Sequence, residues 1–319
     1  MEIISNPTQV EIKKAAHALK DGHLVAFPTE TVYGLGADAT NQNAVSRVYS
    51  VKGRPTDHPL IVHISSITEF DKLAVDVPKY ARNLAKKFWP GPLTLIVKKS
   101  SLVSDEITAG QPYVGLRIPS HPTALALLKE FEKLTGLGVA APSANRFGAV
   151  SPTDGVAVLD EIGKSLSQND IILDAGKCKL GLESTILNCS LDSPTVVRPG
   201  WVTIDSIERT LGYRIQSLDV DHSLKASGLL KSHYAPKAKV FLDIPANIGD
   251  GFIAMAHIPT PDGAIRLAAP KTIEHYASEV YSALRQGDAI NLRNIVVIQP
   301  PGIGLALAIR DRLGKAAAK

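Results

Sequence analysis

The chain has 319 residues, 45% apolar and 21% charged, enough for two globular domains with sizeable cores, which excludes a disordered or fibrous protein. Its net charge of +4 is interspersed, with no run of five basic residues, so an anionic ligand or an RNA partner is permitted and neither is indicated. Two cysteines, Cys178 and Cys189, with neither a C-x-x-C pair nor Cys–His spacing, exclude a disulfide framework and a structural zinc site and fit a reducing cytosol.

The N-terminal stretch MEIISNPTQVEIKKAAHAL has an acid at position 2 and no apolar core, unlike a secretory leader. No apolar run approaches the ~18–20 residues of a membrane span, so a soluble cytoplasmic protein without membrane contact is expected. Apolar spacing predicts a helix over 8–20, closed by Asp21-Gly22. Leu24–Phe27 reads as a buried strand delivering Pro28-Thr29-Glu30-Thr31 to a loop, and Tyr33-Gly34-Leu35-Gly36 as a tight glycine turn. A helix near Asn43–Val51 leads into a Lys52-Gly53-Arg54-Pro55 loop, followed by a strand at Leu60–Ile64. A helix over 78–88 starts on a proline, and strands follow at Leu93–Val97 and Val114–Ile118. After a helix at 123–133, Val139-Ala140-Ala141-Pro142 runs into Ser143-Ala144-Asn145. Residues 153–162 are helical, Ile171–Leu173 and Ser184–Asn188 are strands, and a short helix covers TIDSIERTLG.

Strands and helices mix without strict alternation, which points to a mixed, twisted α/β sheet rather than a doubly wound one. Residues 216–238 are polar and aperiodic and read as linker, although His233-Tyr234-Ala235-Pro236 is unusually aromatic for a passive one. Order resumes with strands at VFLDI and FIAMA, a helix over 272–286, a strand at Ile295–Ile298 and a helix near 304–313. That succession describes a small, Rossmann-like α/β domain with a parallel core. The expected division is 1–208, a linker at 209–238, and 239–319.

Standard nucleotide motifs are missing: there is no G-x-x-x-x-G-K-[ST] string. Gly34-x-Gly36-x-x-Ala39 lies too far past its strand for a dinucleotide fingerprint, and Gly302-x-Gly304 lacks a third glycine. The histidines, His23, His58, His63, His121 and His233 among them, lack metal-ligand spacing, and no G-x-S-x-G elbow supports a serine hydrolase. Lys52-Gly53-Arg54 suits phosphate, because an Arg fork takes two oxygens while a nearby Lys adds a mobile charge; a solvated basic turn is the bland alternative. Ser143 and Asn145 offer a hydroxyl and an amide to a ligand, or an N-cap to the next turn. Arg117, at a strand end, needs an anion, which a structural Asp or Glu or a substrate carboxylate would satisfy equally. Arg198 serves either a ligand or the surface. The residues by themselves describe an anion- and hydroxyl-binding cleft in roughly the first 200 positions.

Together they resemble the YrdC-type threonylcarbamoyl-adenylate synthases, in the long form with an added C-terminal domain. The family's K-x-R and S-x-N signatures are met by Lys52/Arg54 and Ser143/Asn145. FPTETVYGLG, WPGPLTLI, GLRIPSHP, APSANRFGAVSPT and LESTIL…VVRPG match in order and spacing over about residues 8–206, and HYAP at 233–236 matches the longer members. The resemblance implies an enzyme joining L-threonine, bicarbonate and ATP, with Mg²⁺ on the nucleotide, into threonylcarbamoyl-AMP and pyrophosphate. It implies a nucleotidyltransferase working in tRNA threonylcarbamoyladenosine biosynthesis, with product handed to a transferase complex and tRNA met indirectly or weakly. On that likeness Lys52 and Arg54 face the phosphates, and His58, Tyr113, Ser143, Asn145, Ser151, Arg198 and Tyr234 also bind ATP, Tyr234 as a lid. Thr31, His63, Arg117, Ala141 and Ser184 hold threonine, and no metal is held by the protein itself. Ser227-Gly228 stands where longer members usually have Pro-Gly before HYAP, which implies a looser bend there. The competing readings are an RNA-binding translation or ribosome-assembly factor and a hydrogenase-maturation-type carbamoyl transferase. The second needs Cys pairs that this chain lacks.

Overall fold

The structure, a computed structural model, describes residues 1–135, 137–215, 224–228, 230 and 232–318. Ten strands form one large sheet: β1 (Glu2–Ser5), β2 (Val25–Phe27), β3 (Gly34–Asp38), β4 (Ile61–His63), β5 (Leu93–Lys98), β6 (Tyr113–Arg117), β7 (Val139–Ala140), β8 (Ile171–Asp174), β9 (Thr185–Asn188) and β10 (Thr195–Arg198). Their order is β1-β8-β2-β3-β7-β4-β6-β5-β9-β10. Parallel pairs such as β4–β6 and β5–β9 alternate with antiparallel ones such as β2–β3 and β5–β6, the mixed sheet that the sequence suggests.

Gly34–Gly36, expected as part of a turn, is strand: β3 runs antiparallel to β2 with Val25 opposite Gly36 and Phe27 opposite Gly34. Its glycines make room for side chains. A Cβ on Gly36 would lie 2.8 Å from both the Phe27 ring and Val139 Cγ1. Because glycine is depleted in strands and enriched in turns, local pattern points the wrong way here. Strands β1 and β10 and the helices α3 and α5, given below, also go unread from the sequence.

The helices of this part are α1 (Gln9–Lys20), α2 (Gln42–Lys52), α3 (Ile67–Leu73), α4 (Lys79–Phe88), α5 (Asp105–Thr108), α6 (Pro122–Thr135), α7 (Gly155–Ile162) and α8 (Ile204–Leu211). Asn41 caps α2 by accepting from the Ala44 amide at 3.1 Å, and Gly53 ends it in the left-handed region at φ 61°. Lys52 is therefore the last helical residue, and the reversal at Gly53 aims Arg54 back along the sheet.

One sheet face packs Val62, Leu116 and Leu187 against Val48 of α2, Leu84 of α4 and Ile207 of α8. The other face is shared. Val25, Phe27 and Val139 pack under α1 and α6, whereas Ile96 and Ile186 pack under Leu224 and Ala226. The space between these two covers holds the candidate site.

The second sheet is wholly parallel, with β11 (Lys239–Leu242), β12 (Gly251–Ile253), β13 (Ile265–Ala268) and β14 (Asn294–Val297) in the order β11-β14-β12-β13. β13 is a strand that the sequence reading passed over. Helices α9 (Ile273–Ala289) and α10 (Leu305–Ala317) bury Tyr276, Val280, Leu284, Ile309 and Leu313 in one cluster, each worth about 1.5–3 kcal/mol when fully buried. Val32, Val150 and Leu182 of the first part lie in that same cluster, so α9 and α10 also close a wall of the larger domain. Among the described residues, no helix is long and apolar enough to cross a membrane.

Candidate active site

Along β4 and β6 the pleat sends Ile61, His63 and Arg117 to the same side, with His63 directly opposite Arg117 in the parallel register. They floor a cavity walled by residues from several other elements. Thr31 from the β2–β3 connection, Gly34 of β3, Ala141, Ser143 and Asn145 after β7, Ser184 before β9, Arg198 at the end of β10 and Tyr234 complete the wall. Lys52 and Arg54 reach it from the end of α2.

Four cations thus converge, and each has its buried partners. Lys52 Nζ donates to the Ser143 carbonyl at 2.6 Å and to the Asn145 carbonyl. The lysine ties the two signature strings together and shapes the Ser-Ala-Asn loop. Burial, reinforced by Arg54, holds its amine well below the usual lysine range. Arg54 donates through Nη2 to the Pro59 carbonyl at 3.0 Å and to Ser227 Oγ at 3.3 Å, and its guanidinium lies 5.7 Å from the Phe147 ring centre. Burial pushes its pKa down to about 10.

Arg117 already holds a carboxylate. Its Nη2 donates to Glu30 Oε1 at 2.6 Å, Nη1 to Thr31 Oγ1 at 3.1 Å and Nε to the Gly91 carbonyl at 3.2 Å. Of the two anions that the sequence leaves open, the structural one is present, and each terminal nitrogen keeps a second N–H for a ligand. Arg198 clasps the Ser184 carbonyl at 2.9 Å and the Ser227 carbonyl at 3.1 Å. Ser227 therefore bridges Arg54 and Arg198.

His63 is neutral, because burial and then Arg117 push it down to about 3, and its Nδ1 has no hydrogen-bond partner among the described residues. His233, likewise pushed to about 3 by burial, lines the cavity beside Phe147 at 5.9 Å and Tyr234 at 4.1 Å between ring centres. Gly228 is required by its neighbours as well as by its φ of +82°, since a Cβ there would sit 2.3 Å from Tyr234 Oη.

Three expected residues sit outside this wall. Ser151 lies behind it and donates to Glu183 Oε1 at 2.6 Å. Tyr113 lines a separate small cavity with Ile96, Ile186 and Leu224–Ser227. The His58 ring packs 5.3 Å from Phe147. Conversely, Glu183, Thr29, Phe147 and Ser227 face the cavity without having been singled out as ligand contacts. For Ser227 and Phe147 no local pattern marks the position, because the contacts come from folding the chain over the sheet.

A family model described as "Telomere recombination", covering the Sua5, YciO and YrdC proteins, matches residues 17–200. A second, described as "Threonylcarbamoyl-AMP synthase, C-terminal domain", matches residues 202–318. The chain belongs to the Sua5/YrdC family. A threonylcarbamoyl-AMP synthase of Bacillus subtilis is 38% identical over 99% of this chain and 95% of its own length. One of Pyrococcus abyssi is 37% identical over 96% and 94%. The crystal structure of P. abyssi Sua5 complexed with L-threonine superposes with a TM-score of 0.88 at 35% identity, covering 99% of this chain and 97% of that one. Family membership thus extends over both sheets, and the match crosses from one model to the next next to Arg198, the last strand residue of the large sheet.

Proposed function

We propose that this chain is an ATP-dependent threonylcarbamoyl-AMP synthase. The observation that carries the reading is one cavity lined by Lys52, Arg54 and Arg198 together with Thr31, His63 and Arg117. Full-length relatives bear that name, and the threonine complex of a close structural neighbour supports the amino-acid half.

In this reading Arg117 and Thr31 take the threonine carboxylate and hydroxyl, Ala141 and Ser184 bound its side chain, and His63 Nδ1 accepts from its amine. The free amine and bicarbonate combine to a carbamate with loss of water. A carbamate oxygen then attacks the α-phosphorus of ATP, forming the P–O bond of threonylcarbamoyl-AMP as the bond to pyrophosphate breaks. Lys52 and Arg54 neutralise the phosphates, and Ser143, Asn145 and Arg198 orient the nucleotide. Tyr234 excludes water that would hydrolyse the mixed anhydride. His58 and Tyr113 join the nucleotide side only when it extends past Ser227, and Ser151 acts through Glu183.

Among the described residues no group of three or more His, Cys, Asp or Glu side chains is placed to hold a metal. Mg²⁺ is proposed to enter with ATP as the MgATP substrate, with the phosphates as its ligands. Residues 1–208 are proposed as the catalytic domain, 209–238 as linker and 239–319 as the added domain. The packing of Ile207 and Ile215 into the first core ties the start of that linker to the catalytic part. Part of it, residues 216–223, 229 and 231, lies outside the described residues. Work in the cytoplasm, with product passed to a threonylcarbamoyl-transferase that modifies tRNA, completes the proposal. Cations buried in a cavity, rather than spread over a surface, favour a small polyanion over RNA.

The test is pyrophosphate release by the purified chain, omitting threonine and bicarbonate in turn. Release that requires both is expected. Release indifferent to threonine, or none with MgATP supplied, would refute the reading and leave RNA binding to be measured.

A further inference from the structure

Glu183 is a carboxylate in the wall of a cavity otherwise dominated by cations, 6% exposed. An unpaired carboxylate there would repel a triphosphate. It is not unpaired: Oε2 accepts from Arg312 Nε at 2.9 Å and from Tyr281 Oη at 2.9 Å, and Oε1 accepts from Ser151 Oγ at 2.6 Å. Two of these three donors come from α10 and α9 of the second domain. Burial alone would raise the Glu183 carboxyl, but Arg312 and then Arg198 outweigh it and hold it ionised, well below the usual carboxylate range.

Arg312 is the largest fully buried side chain of the protein's described residues and anchors more than one group. Its Nη2 donates to the Pro199 carbonyl at 3.0 Å, next to Arg198. Its guanidinium lies 5.2 Å from the centre of the Tyr234 ring, which stacks on Tyr281 at 5.8 Å and 23°. At Gly181 the chain before Glu183 approaches α9 so closely that a Cβ would meet Ser278 Cα at 2.6 Å. One arginine from the second domain thus touches the wall carboxylate, the residue that follows Arg198 and the Tyr234 ring that lines the cavity.

We propose that Arg312 and Tyr281 are positioning residues for the nucleotide half of the site: docking of the second domain neutralises Glu183 and seats Tyr234, making the cavity receptive to a polyanion. The inference deepens the synthase reading and rests on it for the identity of that polyanion. Without the two donors Glu183 keeps only the Ser151 hydrogen bond and the more distant Arg198, a poorly compensated buried charge facing the phosphates. Arg312 does not line the cavity; it also pairs with Asp311 through Nη1, and it acts on the site through Glu183, Pro199 and Tyr234.

The experiment uses the full chain and four variants: Arg312→Met, Tyr281→Phe, Glu183→Gln and the double variant Arg312→Met with Glu183→Gln. Pyrophosphate release is measured against ATP and, separately, against threonine, with MgATP affinity by calorimetry and thermal melting alongside. Arg312→Met is expected to raise the KM and Kd for ATP about tenfold or more, with the KM for threonine within about twofold. Adding Glu183→Gln should recover most of that loss, because a neutral amide needs no counter-charge. Tyr281→Phe should shift ATP the same way by a smaller factor. A role confined to holding the domains together would instead lower kcat and melting temperature with both KM values unchanged, and that result overturns the proposal. So does a double variant no better than Arg312→Met. Should Arg312→Met not fold, Tyr281→Phe decides, since it removes one hydroxyl and keeps the ring stack; an unchanged ATP affinity sinks the idea. A wild type that releases no pyrophosphate sinks the synthase reading, while the ratio of MgATP affinities still judges Arg312.

Discussion

Replacing Lys52 with methionine separates what this residue does for the fold from what it does for the ligand. The side chain is 3% exposed, and its amine joins the Ser143 and Asn145 carbonyls. Losing it leaves two inward carbonyls without that donor, at about 1–3 kcal/mol each. The change also removes a buried ammonium, whose desolvation costs several kcal/mol and is what pulls its pKa down. The two effects oppose each other, so global stability should move by no more than about 1–2 kcal/mol. Catalysis has no such offset. A lost hydrogen bond between charged groups is worth about 1.5–3 kcal/mol, which is roughly a 10- to 150-fold fall in kcat/KM for ATP. Loop distortion at Ser143 and Asn145 adds to that non-additively, because both effects act on one loop. Initial rates of threonine- and bicarbonate-dependent pyrophosphate release across an ATP titration, with urea unfolding of the same preparation, measure both quantities. A variant with kcat/KM for ATP within about twofold of wild type would refute the assignment of Lys52 to the phosphates. A variant that loses activity only in proportion to unfolded protein would refute the separation.

Glu30→Gln should destabilise the protein by about 3–5 kcal/mol, since it leaves Arg117 as an uncompensated buried charge and turns an amide nitrogen toward the Glu30 partners Arg117 and the Ser120 amide. Denaturant titration measures it, and a loss below about 1 kcal/mol would mean that water reaches the pair. Acid stability should fall early. His63 and His233 both titrate near 3 in the folded chain, chiefly because of burial, against about 6.5 when unfolded. With folded values below unfolded ones, the unfolded chain takes the protons first, so stability drops as pH falls from about 6.5 towards 3. Each histidine contributes a slope of about 1.4 kcal/mol per pH unit. His233→Gln should remove one such contribution between about pH 6 and 5, and superimposable slopes for the two proteins would exclude a buried neutral His233.

Much of the architecture is legible without coordinates because it is written in local periods. The 3.6-residue spacing of Ile12, Ala15, Ala16 and Leu19 marks α1, and those residues are buried. Val114–Ile118 reads as a strand because its residues suit a pleated, buried surface, and β6 covers Tyr113–Arg117. The cavity wall gathers Thr31, Lys52, Arg54, His63, Arg117, Ala141, Ser143, Asn145, Ser184, Arg198 and Tyr234, positions that stand out through residue type next to strand ends and family motifs. β3 escapes because its glycines serve a neighbour's ring rather than a turn, and a periodic reading has no access to that neighbour.

The sequence by itself determined most of the helices and most of the buried strands, the inventory of cations and hydroxyls, and the family to which they belong. Only the tertiary structure decided how those groups are paired: Glu30 on Arg117, Lys52 on two carbonyls, and Glu183 held by Arg312 across 129 positions of chain. One hint lay in α10, where Arg312 falls on the apolar stripe of Leu305, Ala308, Ile309 and Ala316, a place no arginine occupies without a buried anion. Which anion it finds depends on how two sheets dock. Local pattern records only neighbours one or two turns away, whereas a buried charge is satisfied by whatever the fold brings within about 3 Å.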